Sequence, residues 1–170
     1  MSVWADDIFG VLRTHDIKQV AYVPDAGHTR LIERCHGEST MTAVVLTTEE
    51  EGVAVLAGAW LGGQRGVLLM QSSGVGNCIN MLALTETCRF PLLILATMRG
   101  QYEEFNPWQE PMGNAAADVM EAMGVNIHTA DEPGQVGNVV ETAATAAFGG
   151  ETAEAVLLHQ KLMPVKTFGK

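Results

Sequence analysis

The sequence has few basic residues and no long apolar run, and both shortages exclude classes of protein. It carries 10 Lys and Arg against 20 Asp and Glu, which gives a formal net charge of −10. This charge argues against nucleic-acid binding, because basic side chains supply most of the affinity for phosphates. No apolar run approaches the roughly 18 residues that a membrane-spanning helix needs. Residues 1–7 are acidic and lack a basic n-region, so we expect no secretory signal.

Cysteine pairs and several common site motifs are also missing. The three cysteines are Cys35, Cys78 and Cys88, and they form no Cys-x-x-Cys pair. We therefore expect free thiols in a reducing cytoplasm, and not a disulfide framework or a zinc site. The sequence has no Gly-Lys-Ser/Thr phosphate loop, no Gly-x-Ser-x-Gly nucleophile elbow and no His-x-x-x-His pair. These absences disfavour a P-loop site, a serine hydrolase and a metal bound by this chain alone.

What is present is a regular alternation of apolar strands and amphipathic helices. The pattern predicts strands at 19–23, 42–46, 66–70, 91–96, 125–129 and 154–159, and helices at 2–14, 28–35, 49–62, 74–87, 112–123 and 133–147. Strands that are continuously apolar are typical of a parallel sheet covered on both faces. We predict one α/β domain over residues 1–170, with about six mainly parallel strands and helices on both faces.

In such sheets ligands bind at the carboxyl ends of the strands, and polar residues and glycines gather there in this sequence. They occupy residues 24–28, 47–49, 71–77 and 97–100. His28 is the one histidine of five that falls in such a loop. Residues 97–111 form a longer stretch without a regular pattern, which is typical of a functional loop or lid.

The helix that begins at Glu49 contains the most informative residue of the chain. At about 100° per residue, Glu49 lies within roughly 40° of the apolar residues Val53 and Trp60. Glu51 lies on the opposite side, where it fits a capping box with Thr48. A carboxylate on the dry side of a helix is costly without a partner. We therefore expect a partner for Glu49, which a ligand can supply, and a helix cap that complements the dipole is the alternative.

The segment at 73–77, Ser-Gly-Val-Gly-Asn, follows a strand and opens a helix, which is the setting of a phosphate-binding turn. Ile79 stands where a Gly-x-Gly-x-x-Gly fingerprint has its third glycine, and no acidic residue ends the next strand. These departures disfavour a dinucleotide site. The glycines instead allow another backbone or a flat ligand to approach closely.

Taken together, these segments resemble the thiamine diphosphate enzymes. Glu49, followed by Ala57 and Gly58, resembles the glutamate helix of that family. Residues 67–77, Val-Leu-Leu-Met-Gln-Ser-Ser-Gly-Val-Gly-Asn, resemble a stretch of phosphonopyruvate and sulfopyruvate decarboxylases more narrowly. Gln-Glu-Pro-Met-Gly at 109–113 is similar to the sulfopyruvate branch.

The resemblance covers roughly residues 15 to 165 and has local departures. Ser72 stands where the phosphonopyruvate-like motif has Asn, and Thr97-Met98 replaces Gly-Trp before Arg99. These departures concern the substrate more than the cofactor.

The resemblance implies half of an active site. The chain corresponds to a pyrimidine-binding domain, and the complementary pyrophosphate-binding domain, which holds Mg²⁺, is expected on a separate beta subunit. The chain would then be the alpha subunit of a cytoplasmic heteromer. The implied activity is thiamine diphosphate-dependent decarboxylation of a small anionic 2-oxo acid, such as sulfopyruvate or phosphonopyruvate.

The resemblance also implies roles for individual residues. Glu49 is expected to hydrogen-bond N1′ of the aminopyrimidine and so to activate the cofactor. The other residues expected around the cofactor are Gln71, Ser73, Gly74 and Asn77. Asp25 and His28 are the candidates for proton relay, and Arg99, Arg30 and His28 are the candidates for substrate binding.

Two alternatives remain open on these residues. The chain could belong to another lyase or carboligase that uses thiamine diphosphate. It could also be a non-enzymatic α/β binding module in which Glu49 only caps its helix.

Overall fold

Strands and helices alternate along residues 4–165, the part of the chain that the computed structural model describes. The strands are β1 (Ile17–Tyr22), β2 (Thr42–Val45), β3 (Arg65–Gln71), β4 (Leu92–Thr97), β5 (Asn126–Ala130) and β6 (Ala153–Leu158). The α-helices are α1 (Trp4–Thr14), α2 (Thr29–Gly37), α3 (Glu49–Leu61), α4 (Val75–Cys88), α5 (Glu110–Glu121) and α6 (Val136–Gly150). The predicted start of the first helix, at residue 2, lies outside the described residues.

The six strands form one sheet in the order β2-β1-β3-β4-β6-β5. Each neighbouring pair among them is parallel. Every residue of β4 is buried, because strands inside a parallel sheet are covered by helices on both faces. The predicted single α/β domain with a six-stranded parallel sheet is confirmed.

Three helices cover each face of the sheet. Helices α1, α2 and α6 pack on one face, and α3, α4 and α5 pack on the other. Successive residues of β3 alternate between the two cores: Val67 and Leu69 join the first, and Leu68 and Met70 join the second. The carboxyl ends of all six strands therefore meet at one edge, between two helical layers.

The predicted capping box is wrong in its threonine half. Thr48 is the residue before α3, but its side chain makes no capping bond. The Thr48 hydroxyl instead lowers the pKa of the Glu50 carboxyl group. Glu51 does reach back, and its Oε2 accepts from the backbone N–H of Thr47 at 2.8 Å.

The thiols are free, as predicted. Cys35 and Cys78 are buried and Cys88 is exposed. Burial raises the pKa of both buried thiols to about 12, so they stay protonated and unreactive. Within residues 4–165, no helix combines the length and apolar character that crossing a bilayer requires.

The loop between β4 and α5 returns close to where it starts. Gly100 has a φ of +77°, a conformation that favours glycine. A Cβ on Gly113 in α5 would overlap the carbonyl oxygen of Arg99. A surface loop whose two ends lie together in this way has the geometry of an Ω-loop.

We expect Gly113→Ala to lower the free energy of unfolding by about 1–3 kcal/mol, because the new methyl group meets backbone that only a shift of the whole loop can move. The measurement is the midpoint of urea unfolding of the purified chain. Gly10→Ala in α1 is the matched control, since nothing lies within 4 Å of its Cβ position apart from its chain neighbours and the backbone of its own helix. It should raise stability by about 0.5–1 kcal/mol, and equal midpoints for the two variants would contradict the close approach.

Candidate active site

Polar side chains converge where β1, β3 and β4 end. The chain leaves β1 toward β2 on one side, whereas β3 lies on the other side of β1. This reversal of strand order opens a crevice at the carboxyl ends of β1 and β3, where ligands of open α/β sheets bind. Asp25 follows β1, and Gln71 is the last residue of β3.

Glu49 occupies a narrow place at the start of α3. Its residue surface is only 7% exposed, so the prediction that it faces the dry side of the helix is confirmed. Nδ2 of Asn77 donates to its Oε2 at 2.8 Å. A Cβ on Gly74 would overlap the carboxyl group of Glu49. Only glycine at position 74 therefore allows this carboxylate to lie against the start of α4.

Asp25 has a very different environment, because its carboxylate is saturated with donors. Oδ1 accepts from Nη2 of Arg99 at 2.6 Å and from Nε2 of Gln71 at 3.1 Å. Oδ2 accepts from Oγ1 of Thr97 at 2.7 Å and from the N–H of Gly27 at 2.9 Å. Burial alone would raise the pKa of Asp25, but the Arg99 charge and the Thr97 and Gln71 donors hold that pKa below its usual value.

Arg99 is buried together with its counter-charge. The side chains of Arg99 and Asp25 are each 5% exposed in their ion pair. A second nitrogen of the guanidinium, Nη1, donates to the carbonyl oxygen of Met98 at 3.0 Å. The backbone N–H of Arg99 donates to Oγ of Ser72 at 3.0 Å. The guanidinium is thus held in one position at the end of β4.

A pocket of about 340 Å³ opens beside Arg99. Gly27 and Arg99 form one part of its wall, and the loop between β4 and α5 contributes Tyr102, Glu104 and Phe105. Glu104 accepts from the backbone N–H groups of Gly100 and Asn106 and from the side chain of Gln160. Burial would raise the pKa of Glu104, but these donors hold it below its usual value.

Gln71 connects several of the predicted site residues. Its Nε2 donates to Asp25, and its Oε1 accepts from Oγ of Ser73 at 2.6 Å and from Nε2 of Gln109 at 2.9 Å. The structure therefore brings Asp25, Gln71, Ser73 and Arg99 into one hydrogen-bonded network. Glu49, Gly74 and Asn77 form a second group at the same edge of the sheet.

His28 lies beneath this network and is fully buried. Its Nε2 is 3.1 Å from the carbonyl oxygen of Leu95, and a carbonyl can only accept, so this nitrogen carries the proton of the neutral ring. Burial lowers the pKa of His28, which favours the neutral form.

Arg30 is not brought to the cluster. Its guanidinium donates to both carboxylate oxygens of Asp6 in α1, at 3.1 Å and 2.6 Å. Asp6 also pairs with Arg34. These contacts tie α2 to α1 on one face of the sheet.

Two residues of the network were not predicted as site residues. Thr97 donates to Asp25 because it pairs in register with Gln71 at the ends of β3 and β4. Gln109 donates to Gln71 across the loop that precedes α5. Strand register would have indicated Thr97, whereas no local pattern indicates the contact of Gln109. Among residues 4–165, no group of three or more His, Cys, Asp or Glu could hold a metal.

Known proteins with similar sequences are decarboxylases. The sulfopyruvate decarboxylase subunit alpha of Methanococcus maripaludis is 28% identical over 155 residues, which are 91% of this chain and 93% of that protein. The corresponding subunit of Methanothermobacter thermautotrophicus is also 28% identical over 155 residues, 91% of this chain and 94% of that protein. The phosphonopyruvate decarboxylase of Streptomyces viridochromogenes is 35% identical over 121 residues, 70% of this chain but 30% of that protein.

A solved structure with the same fold is a 2-oxoglutarate:ferredoxin oxidoreductase from Magnetococcus marinus. It superposes on 95% of this chain with a TM-score of 0.72, at 11% identity, and this chain spans 29% of its length. At this identity the likeness shows the fold alone.

A family model matches most of the chain and settles the predicted resemblance. The model describes the thiamine pyrophosphate enzymes' N-terminal TPP-binding domain, and it matches residues 3–122. The matched residues include both groups described above, from Asp25 to Gln109. The chain therefore belongs to the family of N-terminal TPP-binding domains of thiamine pyrophosphate enzymes.

Proposed function

We propose that this chain is the alpha subunit of a thiamine diphosphate-dependent 2-oxo acid decarboxylase, in which Glu49 activates the aminopyrimidine of the cofactor. The observation that carries the proposal is the Glu49 carboxyl group, buried against Gly74 and bonded to Asn77. The decarboxylase names of the relatives support the reaction type.

The residues present fit an aminopyrimidine. Gly74 has no side chain, so the Glu49 carboxyl group lies directly against the start of α4 and is held there, and a carboxyl group is a hydrogen-bond partner that suits a ring nitrogen. Asn77 fixes the other carboxyl oxygen and so sets the direction in which the group points. When bound, thiamine diphosphate supplies the electron sink that lets a 2-oxo acid lose carbon dioxide.

Within this proposal, the Glu49 carboxyl group would hydrogen-bond a ring nitrogen of the aminopyrimidine. A carboxyl group in hydrogen-bond contact with a ring nitrogen acts as a general acid or base without moving. Asn77 and Gly74 hold the Glu49 carboxyl group in place, so the chain's own residues position it before any substrate arrives.

The geometry favours a fixed charge at Asp25. Four donors and a lowered pKa keep its carboxylate ionised. An ionised, saturated carboxylate orients Gln71 and Arg99 more readily than it carries protons. The proton-relay roles of Asp25 and His28 stay predictions, as does substrate binding by Arg30.

The substrate that we propose is an anionic 3-substituted pyruvate, such as sulfopyruvate or phosphonopyruvate. The names of the relatives support it, and Arg99 places a guanidinium in the wall of the pocket. One observation favours the alternative of a related lyase or carboligase with a less charged substrate. The charge of Arg99 is already balanced by Asp25, and Glu104 adds a negative charge to the same pocket.

A partner subunit completes the proposal. Helix α3 exposes small and apolar residues on its outward side, at Ala54, Gly58 and Leu61, and Leu61 is 88% exposed. A helix that is apolar outside as well as inside is typical of an interface. We propose that a beta subunit with the pyrophosphate-binding domain and its Mg²⁺ covers this face. The subunit names of the archaeal relatives support it, and the free thiols suit the cytoplasm.

We expect Glu49→Gln to reduce the kcat of the assembled enzyme by about 100-fold or more, because an amide cannot exchange the proton. Folding and assembly should be unchanged, since Asn77 still finds an oxygen acceptor at position 49. The measurement is steady-state decarboxylation with circular dichroism and size-exclusion chromatography as checks. Glu51→Gln is the matched control, since the Glu51 side chain contacts the N–H of Thr47, and it should retain activity.

A second variant tests the same geometry from the other side. Gly74→Ala places a methyl group on the Glu49 carboxyl group and should give a comparable loss of activity. Gly76→Ala is its control, because the new methyl would meet only the Sδ of Met112 at 3.3 Å, the flexible end of a side chain. Full turnover by Glu49→Gln would remove Glu49 from the mechanism and favour the binding-module alternative.

We expect this chain to co-purify with a second subunit that carries the pyrophosphate-binding domain. The chain alone should bind thiamine diphosphate weakly and self-associate, because half of the site and an apolar face are uncovered. Isothermal titration calorimetry and light scattering, with and without the partner, measure both effects. Turnover of sulfopyruvate, phosphonopyruvate and uncharged 2-oxo acids by the complex then separates the two substrate hypotheses. Tight cofactor binding by the chain alone would refute the divided site.

We expect Asp25→Asn to destabilise the chain by about 3–5 kcal/mol at neutral pH, because Arg99 loses its buried counter-charge. The folded-state pKa of Asp25 is lowered. Its contribution is therefore complete above the ordinary aspartate pKa of about 3.9 and is lost as the pH falls through the lower folded-state value. Urea unfolding measures the free energy of unfolding of wild type and variant. The difference between these two free energies should be constant around neutral pH and should become smaller below about pH 4.

The control for this prediction is Asp131→Asn, which removes an exposed pair with Lys161 and should have a small effect at any pH. A wild-type advantage over Asp25→Asn that widened in acid would show that the Asp25 carboxylate is not the stabilising form.

A further inference from the structure

Gln109 ties the later part of the loop between β4 and α5 to the network around Asp25. It is the last residue of a short 3-10 turn, Pro107–Gln109, immediately before α5. Its backbone N–H donates to the carbonyl oxygen of Asn106 at 2.9 Å. Its side chain turns inward, and Nε2 donates to Oε1 of Gln71 at 2.9 Å.

The direction of this hydrogen bond is set by the charge at Asp25. An ionised carboxylate can only accept hydrogen bonds, so the amide nitrogen of Gln71 must face Asp25. The amide oxygen of Gln71 must then face the opposite way, toward Ser73 and Gln109. Gln109 is therefore required as a donor, and a residue that only accepts cannot replace it.

The earlier part of the loop has a separate attachment. Oε1 of Gln160, in the turn after β6, accepts from the backbone N–H groups of Gln101 and Tyr102 at 2.9 Å and 3.1 Å. Nε2 of Gln160 donates to Glu104 at 2.9 Å. One end of the loop is thus attached to the segment after β6, and the other end is attached to β3 through Gln109.

The same loop forms a wall of the pocket beside Arg99. Tyr102, Glu104 and Phe105 line the pocket from the loop, and Arg99 and Gly27 line it from the strand ends. The hydrogen bond of Gln109 joins the end of this loop to Gln71, which in turn donates to Asp25.

We propose that Gln109 is a positioning residue: through Gln71 it holds the loop against the Asp25–Arg99 pair, so that the pocket fits the substituent of the 2-oxo acid. This inference deepens the proposed function, and what it says about the substrate rests on that proposed function. Gln109 acts on the substrate through the shape of the pocket and through the orientation of Gln71, and its side-chain hydrogen bond is to Gln71 and not to Glu49.

The first test measures the loop itself, by hydrogen–deuterium exchange on the full chain. In Gln109→Ala, the backbone amides at positions 106 and 109 should exchange about 3- to 10-fold faster. This factor is the change in the opening equilibrium that the loss of one hydrogen bond causes. The amides of Gln101 and Tyr102 should be unchanged, because Gln160 still holds them.

The chain contains a matched control for this experiment. Gln135 ends an equivalent 3-10 turn, Pro133–Gln135, immediately before α6, and its backbone N–H donates to the carbonyl oxygen of Glu132 at 3.0 Å. Its residue is exposed. Gln135→Ala makes the same change in the same local structure, and it should leave the exchange of both turns unchanged.

The second test uses the enzyme assembled with its partner. Gln109→Ala should raise the KM for the 2-oxo acid by about 3- to 10-fold, with a smaller change in kcat and no change in thiamine diphosphate affinity. Gln109→Glu should raise the KM at least as much, because the new carboxylate faces the amide oxygen of Gln71 and has no proton to donate to it. A merely structural role would lower stability and the amount of active enzyme without this separation of KM from kcat.

The outcomes distinguish this inference from the proposed function. Unchanged exchange at Asn106 and Gln109, or an equal rise in Gln135→Ala, overturns the positioning role whatever the activity. Faster exchange with an unchanged KM overturns its link to the substrate. If the wild-type complex decarboxylates no 2-oxo acid, the proposed function fails, and the exchange experiment still decides whether Gln109 holds the loop.

Discussion

The buried carboxylate of Asp25 determines how the ends of β1, β3 and β4 meet. Removing a carboxylate and a guanidinium from water costs several kcal/mol per ion, and the cost is offset only when the remaining lone pairs also find donors. The chain meets this condition with Arg99, Thr97, Gln71 and the N–H of Gly27. The orientations of the Gln71 and Gln109 amides follow from this one charge, because an anion accepts and does not donate.

Glu49 illustrates how two carboxylates at one edge of a sheet acquire different properties. Asp25 is surrounded by donors, whereas Glu49 has Asn77 on one oxygen and the Cα of Gly74 beside the carboxyl group. The two carboxylates therefore differ in the number of donors that hold them. The saturated carboxylate maintains the shape of the site, and under the proposed function the other one contacts the cofactor.

Local periodicity was sufficient to predict the fold and the side of α3 on which Glu49 lies. A helix that packs one face on a sheet buries only one of three successive glutamates, and the periodicity shows which one. The partners of these residues depended on strand order, which periodicity does not contain. Arg99 and Arg30 looked equivalent as candidate anion binders. Because α2 packs on α1, Arg30 forms an ion pair with Asp6. Because β4 pairs with β3, Arg99 at the end of β4 forms an ion pair with Asp25. The contact of Gln109 crosses a loop without regular structure, so no pattern could have predicted it.

The charge of the chain bears on which part of the cofactor it can hold. Under the proposed function, a neutral aminopyrimidine needs a hydrogen-bonding carboxyl group, and Glu49 supplies one that Asn77 and Gly74 hold in place. A diphosphate is a strong anion, and a chain with a formal net charge of −10 repels it at long range. Under the proposed function, the positive charge that binds the diphosphate therefore belongs to the partner subunit and its Mg²⁺. Binding of the cofactor then stabilises the assembly itself, because neither chain alone offers both halves of the site.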